Sequence, residues 1–274
     1  NKIFTAFSAQ IKVTEDEEQL SAWLTVLSKI IKNYNIQEEP VNSLVASIMS
    51  GELAIFHGSL PHITMPPIVS PFYFIRAFIK KYPTKGAPLC KQLVEWLKFT
   101  PFTSMQSLLL PLTAGLQSGC FDQELSRQFA DILKAFLAKL DLGDTSQIAS
   151  VCTALNSLYN IDKQILTPAV DFLRPLQNFA YSCVSMDDDA EEDDAHEELF
   201  EIMPSIANFT FNVYANDEEV EILPDLIKPL LRLLPFHPEV EDVADILANV
   251  CTLLEDKDRS TNIAVEGLKM FADV

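Results

Sequence analysis

The sequence predicts an all-α fold on three observations. Apolar residues make up 48% of the 274 residues, which is enough to bury a substantial core. Glycine occurs only seven times, and glycine is a frequent breaker of regular structure. Apolar residues recur at spacings of three and four along most of the chain, whereas alternating stretches are few. Helices with one apolar face each are expected to pack against one another in antiparallel pairs.

The first predicted helix follows a capping-box pattern formed by Thr14 and Glu17. Its apolar residues share one helical face, and they are Leu20, Trp23, Leu24, Leu27, Ile30, Ile31 and Tyr34. The fourth predicted helix begins at Pro88, because proline suits the first helical turn, where a missing N–H costs nothing.

The same periodicity predicts eleven further helices, over 41–56, 70–82, 88–99, 104–116, 123–140, 146–158, 168–180, 199–214, 223–234, 240–254 and 261–271. Successive helix pairs start about 35 to 55 residues apart, an interval typical of HEAT and armadillo repeats. We therefore predict one α-solenoid of HEAT-like helix pairs over 1–274, with a globular helical domain as the alternative. Prolines inside the predicted helices, at Pro111, Pro175 and Pro229, are expected to bend them.

A dense run of carboxylates interrupts this helical pattern between the eighth and ninth predicted helices. Its nine acidic residues are Asp187, Asp188, Asp189, Glu191, Glu192, Asp193, Asp194, Glu197 and Glu198. Because like charges at this density repel one another, we predict a solvated loop over 185–198. The loop is a candidate contact for a basic partner. A weak cation site and a solubilising insertion without a partner are the alternatives.

The overall charge favours the same kind of partner. The formal net charge is −19, which disfavours non-specific binding of nucleic acid, because that mode needs clustered Lys and Arg. A basic protein is the electrostatically favoured partner. No stretch has the length and apolarity of a membrane span. The five cysteines are widely spaced and form no CxxC motif, which predicts buried free thiols in a reducing compartment.

A local group of basic residues stands out in this acidic chain, and it consists of Arg76, Lys80, Lys81, Lys85, Lys91 and Lys98. Cations near a helix C-terminus complement the helix dipole, and this role explains part of the group. The functional alternative is a contact with an acidic surface. His62 and His237 lie in proline-rich connections, where a role in a turn or exposure to solvent is favoured over catalysis. No catalytic, metal or cofactor motif is present, so we predict neither enzyme activity nor a cofactor.

The order of these segments resembles a known family. The segments DTSQIASVCTALNSLYN and LTPAVDFLRPLQNFA, then the acidic run, then ELFEIMPSIANFTFNVY and ILPDLIKPLLRLLPF, are similar to the central and C-terminal HEAT repeats of karyopherin-β nuclear transport receptors. The importin branch that carries ribosomal proteins and histones is the most similar. The segment SPFYFIRAFIKKYPTKGAPLCKQLVEWLKF fits a preceding repeat.

The resemblance implies a nuclear import receptor fragment that shuttles between cytoplasm and nucleus. It implies binding of basic protein cargo and release by the GTPase Ran, with the acidic stretch as a candidate contact for either. The chain departs from the family after Leu254, where a short helix follows almost directly. Two other hypotheses stay open: a HEAT scaffold subunit of a different assembly, and a helical enzyme with a closed pocket.

Overall fold

A computed structural model describes residues 2–63, 68–101, 105–139, 145–166 and 170–185, with 205, 206, 208–210, 212, 213 and 248. The helices are α1 (Lys2–Val13), α2 (Glu17–Asn33), α3 (Glu38–Met49), α4 (Ser70–Lys81), α5 (Pro83–Leu97), α6 (Met105–Gln117), α7 (Gln123–Leu137), α8 (Thr145–Ile161) and α9 (Val170–Ser185). Short 3-10 turns occupy Ala54–Phe56 and Lys163–Leu166. No strand occurs in these ranges. The all-α prediction is confirmed there, and the solenoid arrangement stays a prediction.

The chain divides into two compact units, 1–129 and 130–274. In the first unit α4 packs against α2 on one side and α6 on the other, and α5 packs against α4 and α6. The single repeat array predicted over 1–274 is not tested by this division.

Helix α2 begins with a different cap from the one predicted. Asp16 is the N-cap, and its Oδ1 accepts a hydrogen bond from the backbone N–H of Gln19 at 3.1 Å. Thr14 instead donates its hydroxyl to Oε1 of Gln19 at 3.1 Å. The predicted Thr14–Glu17 capping box is therefore wrong by two residues, because an aspartate nearer the helix competes for the same backbone donors. Helix α1, which precedes the cap, was not predicted.

Helix α3 ends at Met49, earlier than the predicted 41–56. Gly51 follows with φ of +75°, a conformation that glycine adopts without strain. The backbone N–H of Glu52 donates to the carbonyl of Ser47 at 2.9 Å, as in a Schellman cap. A Cβ at Gly51 would lie 2.4 Å from the carbonyl oxygen of Ser59, so the returning chain also requires glycine.

Helix α5 begins at Pro83, so the predicted start at Pro88 is wrong. The carbonyl of Tyr82 already accepts hydrogen bonds from the N–H groups of Lys85, at 3.1 Å, and Gly86, at 2.9 Å. Pro83 fits the first helical position for the reason given for Pro88. Pro88 lies inside the helix, at an exposed position, and contributes no N–H to the helical ladder.

The buried face of α4 holds the centre of the first unit. Its buried apolar side chains are Phe72, Phe74, Ile75, Phe78 and Ile79. Four of them, Phe74, Ile75, Phe78 and Ile79, recur at the helical spacing that predicts the helix over 70–82. The facing residues of α2 are Leu20, Leu24, Leu27 and Ile31. Each such side chain contributes about 1.5–3 kcal/mol by leaving water. This packing holds α2 and α4 side by side, so it also fixes the exposed edges of the two helices relative to each other.

The second unit has its own core and polar contacts. Leu133, Phe136 and Leu137 of α7 are buried, and their helical spacing agrees with the helix predicted over 123–140. Lys134 forms an ion pair with Asp171 of α9. The amide of Asn212 donates to the side-chain oxygens of Asn156 and Asn160, both at 3.0 Å. These contacts tie the described part of 205–213 to α8.

Candidate functional site: a basic groove between two helices

The predicted partner site lies outside the described residues. All nine carboxylates of 187–198 fall in a range that the structure does not describe. Their solvated-loop conformation and their role as a partner contact stay predictions. His196, Pro229 and His237 also lie outside the described residues, as do the helices predicted over 223–234 and 261–271. Of the helices predicted over 199–214 and 240–254, the structure describes only 205, 206, 208–210, 212, 213 and 248.

A different site is visible between α2 and α4. There the exposed edges of the two helices enclose an open cavity of about 560 Å³. From α2 it is lined by Thr25, Ser28, Lys29 and Lys32. These positions are spaced i, i+3, i+4 and i+7, so they form one helical face. The face is adjacent to the buried stripe of α2, which places it at the edge of the α2–α4 contact.

The α4 wall repeats this spacing. Its lining residues are Tyr73, Arg76, Ala77, Lys80 and Lys81. Tyr73 is half exposed, and Arg76 is half buried. The cavity with these nine lining residues is called the basic groove below.

The charge of the basic groove is opposite to that of the chain. Of the nine described residues that line it, five are Lys or Arg and none is Asp or Glu, in a chain of net charge −19. Among the residues that the structure describes, none of these five cations takes part in a salt bridge. The groove therefore concentrates positive charge, and the described part of the chain supplies no counter-charge to it, a condition that favours an anionic ligand.

The pKa of Lys80 is affected by cations on both helices. Burial lowers the pKa of Lys80 from its ordinary value, and the charges of Arg76 and Lys32 lower it further. Lys32 belongs to α2, so its effect on Lys80 means that cations from both walls act on the same space. A bound anion would offset this repulsion.

The remaining basic residues of the predicted cluster have other surroundings. Lys85 lies 3.8 Å from a carboxylate oxygen of Glu38, and Lys98 lies 2.6 Å from one of Glu95. Lys91 is exposed on α5. The predicted cluster of six thus divides: three members line the groove and three do not. Lys29 and Lys32, which the sequence analysis did not single out, complete the groove.

The cysteines behave as predicted where the structure describes them. Cys90, Cys120 and Cys152 are buried free thiols. Burial raises the pKa of Cys90 and of Cys120, and it raises the pKa of Cys152 to about 12. The Sγ of Cys120 donates to the carbonyl of Pro83 at 3.2 Å. Thiols with raised pKa values are poor nucleophiles, so these three have packing roles.

His62 lies in a turn, as one of the two predicted roles requires, and the backbone N–H of Ile63 donates to the carbonyl of Leu60 at 3.0 Å across it. The predicted alternative of full exposure is wrong. The ring of His62 is half buried and stacks on Trp96, with 4.3 Å between ring centroids. Burial lowers the pKa of His62, so the neutral ring is favoured. Its Nδ1 has no hydrogen-bond partner among the described residues, and the undescribed residues 64–67 follow directly.

Comparison with known proteins assigns neither a family to the chain nor a ligand to this site. No family model, curated protein or solved structure matches the chain. The resemblance to karyopherin-β receptors therefore stays a prediction. In the described ranges, no group of His, Cys, Asp or Glu could hold a metal ion. No helix there is both long and apolar enough to cross a membrane.

Proposed function

We propose that the chain is a helical binding protein whose acidic surface takes up a basic protein, and that it is part of a nuclear import receptor. The observation that carries the proposal is the charge distribution. Carboxylates outnumber Lys and Arg by 39 to 20, and nine of them fall within the twelve residues 187–198. Such a field attracts a basic partner from a distance and speeds its association.

The packed helices support the proposal in a second way. Amphipathic helices that stack as neighbours present long surfaces on which a partner can lie. Because contacts between exposed charges are screened within about 8–10 Å at physiological salt, binding of the basic partner should weaken as salt rises.

The test measures the Kd of a fluorescent Lys/Arg-rich peptide by anisotropy at two salt concentrations. One variant replaces Asp187, Asp188, Asp189, Glu191 and Glu192 with Ser. A matched variant removes five exposed carboxylates of the described helices and their flanks, namely Glu15, Glu18, Glu39, Glu124 and Asp131. We expect the first variant to bind at least about tenfold more weakly, and the second to change the Kd by less than about threefold. Equal weakening in both would leave only a diffuse charge effect and remove 187–198 from the mechanism.

The transport role needs its own experiment, since any acidic scaffold would bind a basic peptide. Ran loaded with GTP should shift the peptide Kd or bind the chain directly. A purified complex with a stoichiometric enzyme partner, unchanged by Ran, would favour the alternative of a scaffold subunit in a different assembly.

A further inference from the structure

We propose that the basic groove between α2 and α4 is a binding site for a ligand that carries two or more clustered phosphate groups. This site goes beyond the proposed function, because a basic cargo would be repelled by the groove. The two binding events would use opposite charges on separate residues.

The first argument is size and shape. A cavity of about 560 Å³ falls in the range of about 300–1,000 Å³ that small-molecule sites occupy. From Thr25 to Lys32 the α2 wall extends about 10 Å along the helix axis, at about 1.5 Å per residue. A ligand of this length contacts cations from both walls at once.

The second argument is the variety of donors. Lys29, Lys32, Lys80 and Lys81 offer compact, rotatable ammonium groups, and Arg76 offers a planar fork that matches two oxygens of one phosphate. Ser28 already donates its hydroxyl to the carbonyl of Leu24, at 2.7 Å, so of the two hydroxyl groups on the α2 wall that of Thr25 is the available donor. The half-exposed ring of Tyr73 also lines the groove.

Charge density decides between phosphate and carboxylate ligands. An extended acidic peptide advances about 3.3 Å per residue and turns alternate side chains away, so about two carboxylates would face a groove of this length. Each phosphate monoester instead carries about −1.5 to −2 charges, so two or three of them match the five cations. Phosphate clusters therefore fit the groove better than an acidic peptide does.

The experiment uses the whole chain and inorganic tripolyphosphate as the probe, with the Kd measured by titration calorimetry at low salt. The groove variant is Lys32→Gln/Lys80→Gln, which removes one cation from each wall. The matched control is Lys91→Gln/Lys98→Gln on and beside α5, which removes the same charge outside the groove. All four are exposed or near-exposed lysines, so the fold should survive, and circular dichroism checks that it does.

We expect the groove variant to weaken tripolyphosphate binding by about tenfold or more, because charge-assisted contacts are lost, and the control to weaken it by less than about threefold. Thr25→Glu supplies an independent variant, since it places a carboxylate in the groove from an exposed position. It should weaken binding clearly more than Thr25→Gln does.

Two further binding experiments identify the class of ligand. Tetraglutamate binding as tightly as tripolyphosphate would overturn the proposal in favour of an acidic peptide. Inositol bisphosphate and vesicles containing phosphatidylinositol bisphosphate present the same phosphates free or on a lipid. Groove-dependent binding of either supports the phosphate site, and a preference for the vesicles assigns a lipid headgroup as its source. Absence of tripolyphosphate binding, or equal weakening by the groove and control variants, would contradict the proposal.

Discussion

Helices α4 and α5 are neighbours along the chain and both carry cations, yet their cations have different surroundings. Of the cations on and directly after α5, Lys85 and Lys98 lie beside Glu38 and Glu95, and Lys91 is exposed outside the groove. On α4, the three cations face the basic groove, where none of the described lining residues is acidic. Charge that is already neutralised offers little to a ligand, whereas uncompensated charge does. The difference shows that position in the fold, and not density along the sequence, separates structural cations from candidate binding ones.

The largest expected effect comes from removing the support beneath the groove. Phe78 is fully buried on α4 and lies 5.2 Å, centroid to centroid, from the ring of Tyr82. Phe78→Ala should lower the free energy of unfolding by about 3–5 kcal/mol, through lost burial and the cavity that remains. Chemical denaturation followed by circular dichroism measures this.

The matched variant is Tyr73→Ala, on the groove face of the same helix, where the ring is 53% exposed. It should cost less than about 1 kcal/mol. A similar cost for both variants would mean that the two faces of α4 do not differ as described.

The next largest effect concerns the packing of α6 against α5. A Cβ at Gly115 of α6 would lie 2.3 Å from the Sγ of Cys90 on α5. Gly115→Ala should therefore lower the free energy of unfolding by about 1–3 kcal/mol through overpacking. Cys90→Ala removes that sulfur, so the double variant should lose clearly less than the sum of the single variants. A strictly additive cycle would show that Gly115 and Cys90 are not in contact.

These two helices also show what the sequence could predict. The buried positions of α4, such as Phe74 and Phe78, follow from local periodicity, because a helix with one apolar face buries that face. Tyr34 was expected on the buried face of α2 but is 66% exposed. It is the C-cap residue with extended backbone angles, so it has left the helical face.

Only the α4 side of the basic groove could be predicted from the sequence. Arg76, Lys80 and Lys81 stand out as a cluster along the chain, but Lys29 and Lys32 lie more than forty residues earlier. Only the packing of α2 against α4 brings the two sets together, and helical spacing within one segment carries no information on its neighbour. A signal was available in the i, i+3 spacing of Lys29 and Lys32, which places both on one face.

A smaller effect follows from adding a counter-charge to the groove. Thr25→Glu places a carboxylate four residues before Lys29, in the favourable order for a helix. Relative to Thr25→Gln, it should raise the free energy of unfolding by about 0.3–1 kcal/mol at low salt, and the gain should disappear at about 0.5 M salt. Lower stability of the glutamate variant would mean that carboxylates already neutralise the groove.

The smallest effect is expected from the paired cations. Lys85→Gln/Lys98→Gln should change the free energy of unfolding by less than about 1 kcal/mol in total, because both pairs are exposed and such pairs contribute little. Thermal unfolding at two salt concentrations measures this. A loss larger than about 2 kcal/mol would assign these pairs a structural role that their exposure does not suggest.

The most direct test of the basic groove observes its lysines one by one. Tripolyphosphate is titrated into protein with isotopically labelled lysine, and the side-chain NMR signals are followed. The account predicts that the signals of Lys29, Lys32, Lys80 and Lys81 shift together along one saturable curve, while that of Lys91 stays nearly unchanged. Shifts of similar size at every lysine, or none at the four groove lysines, would contradict it.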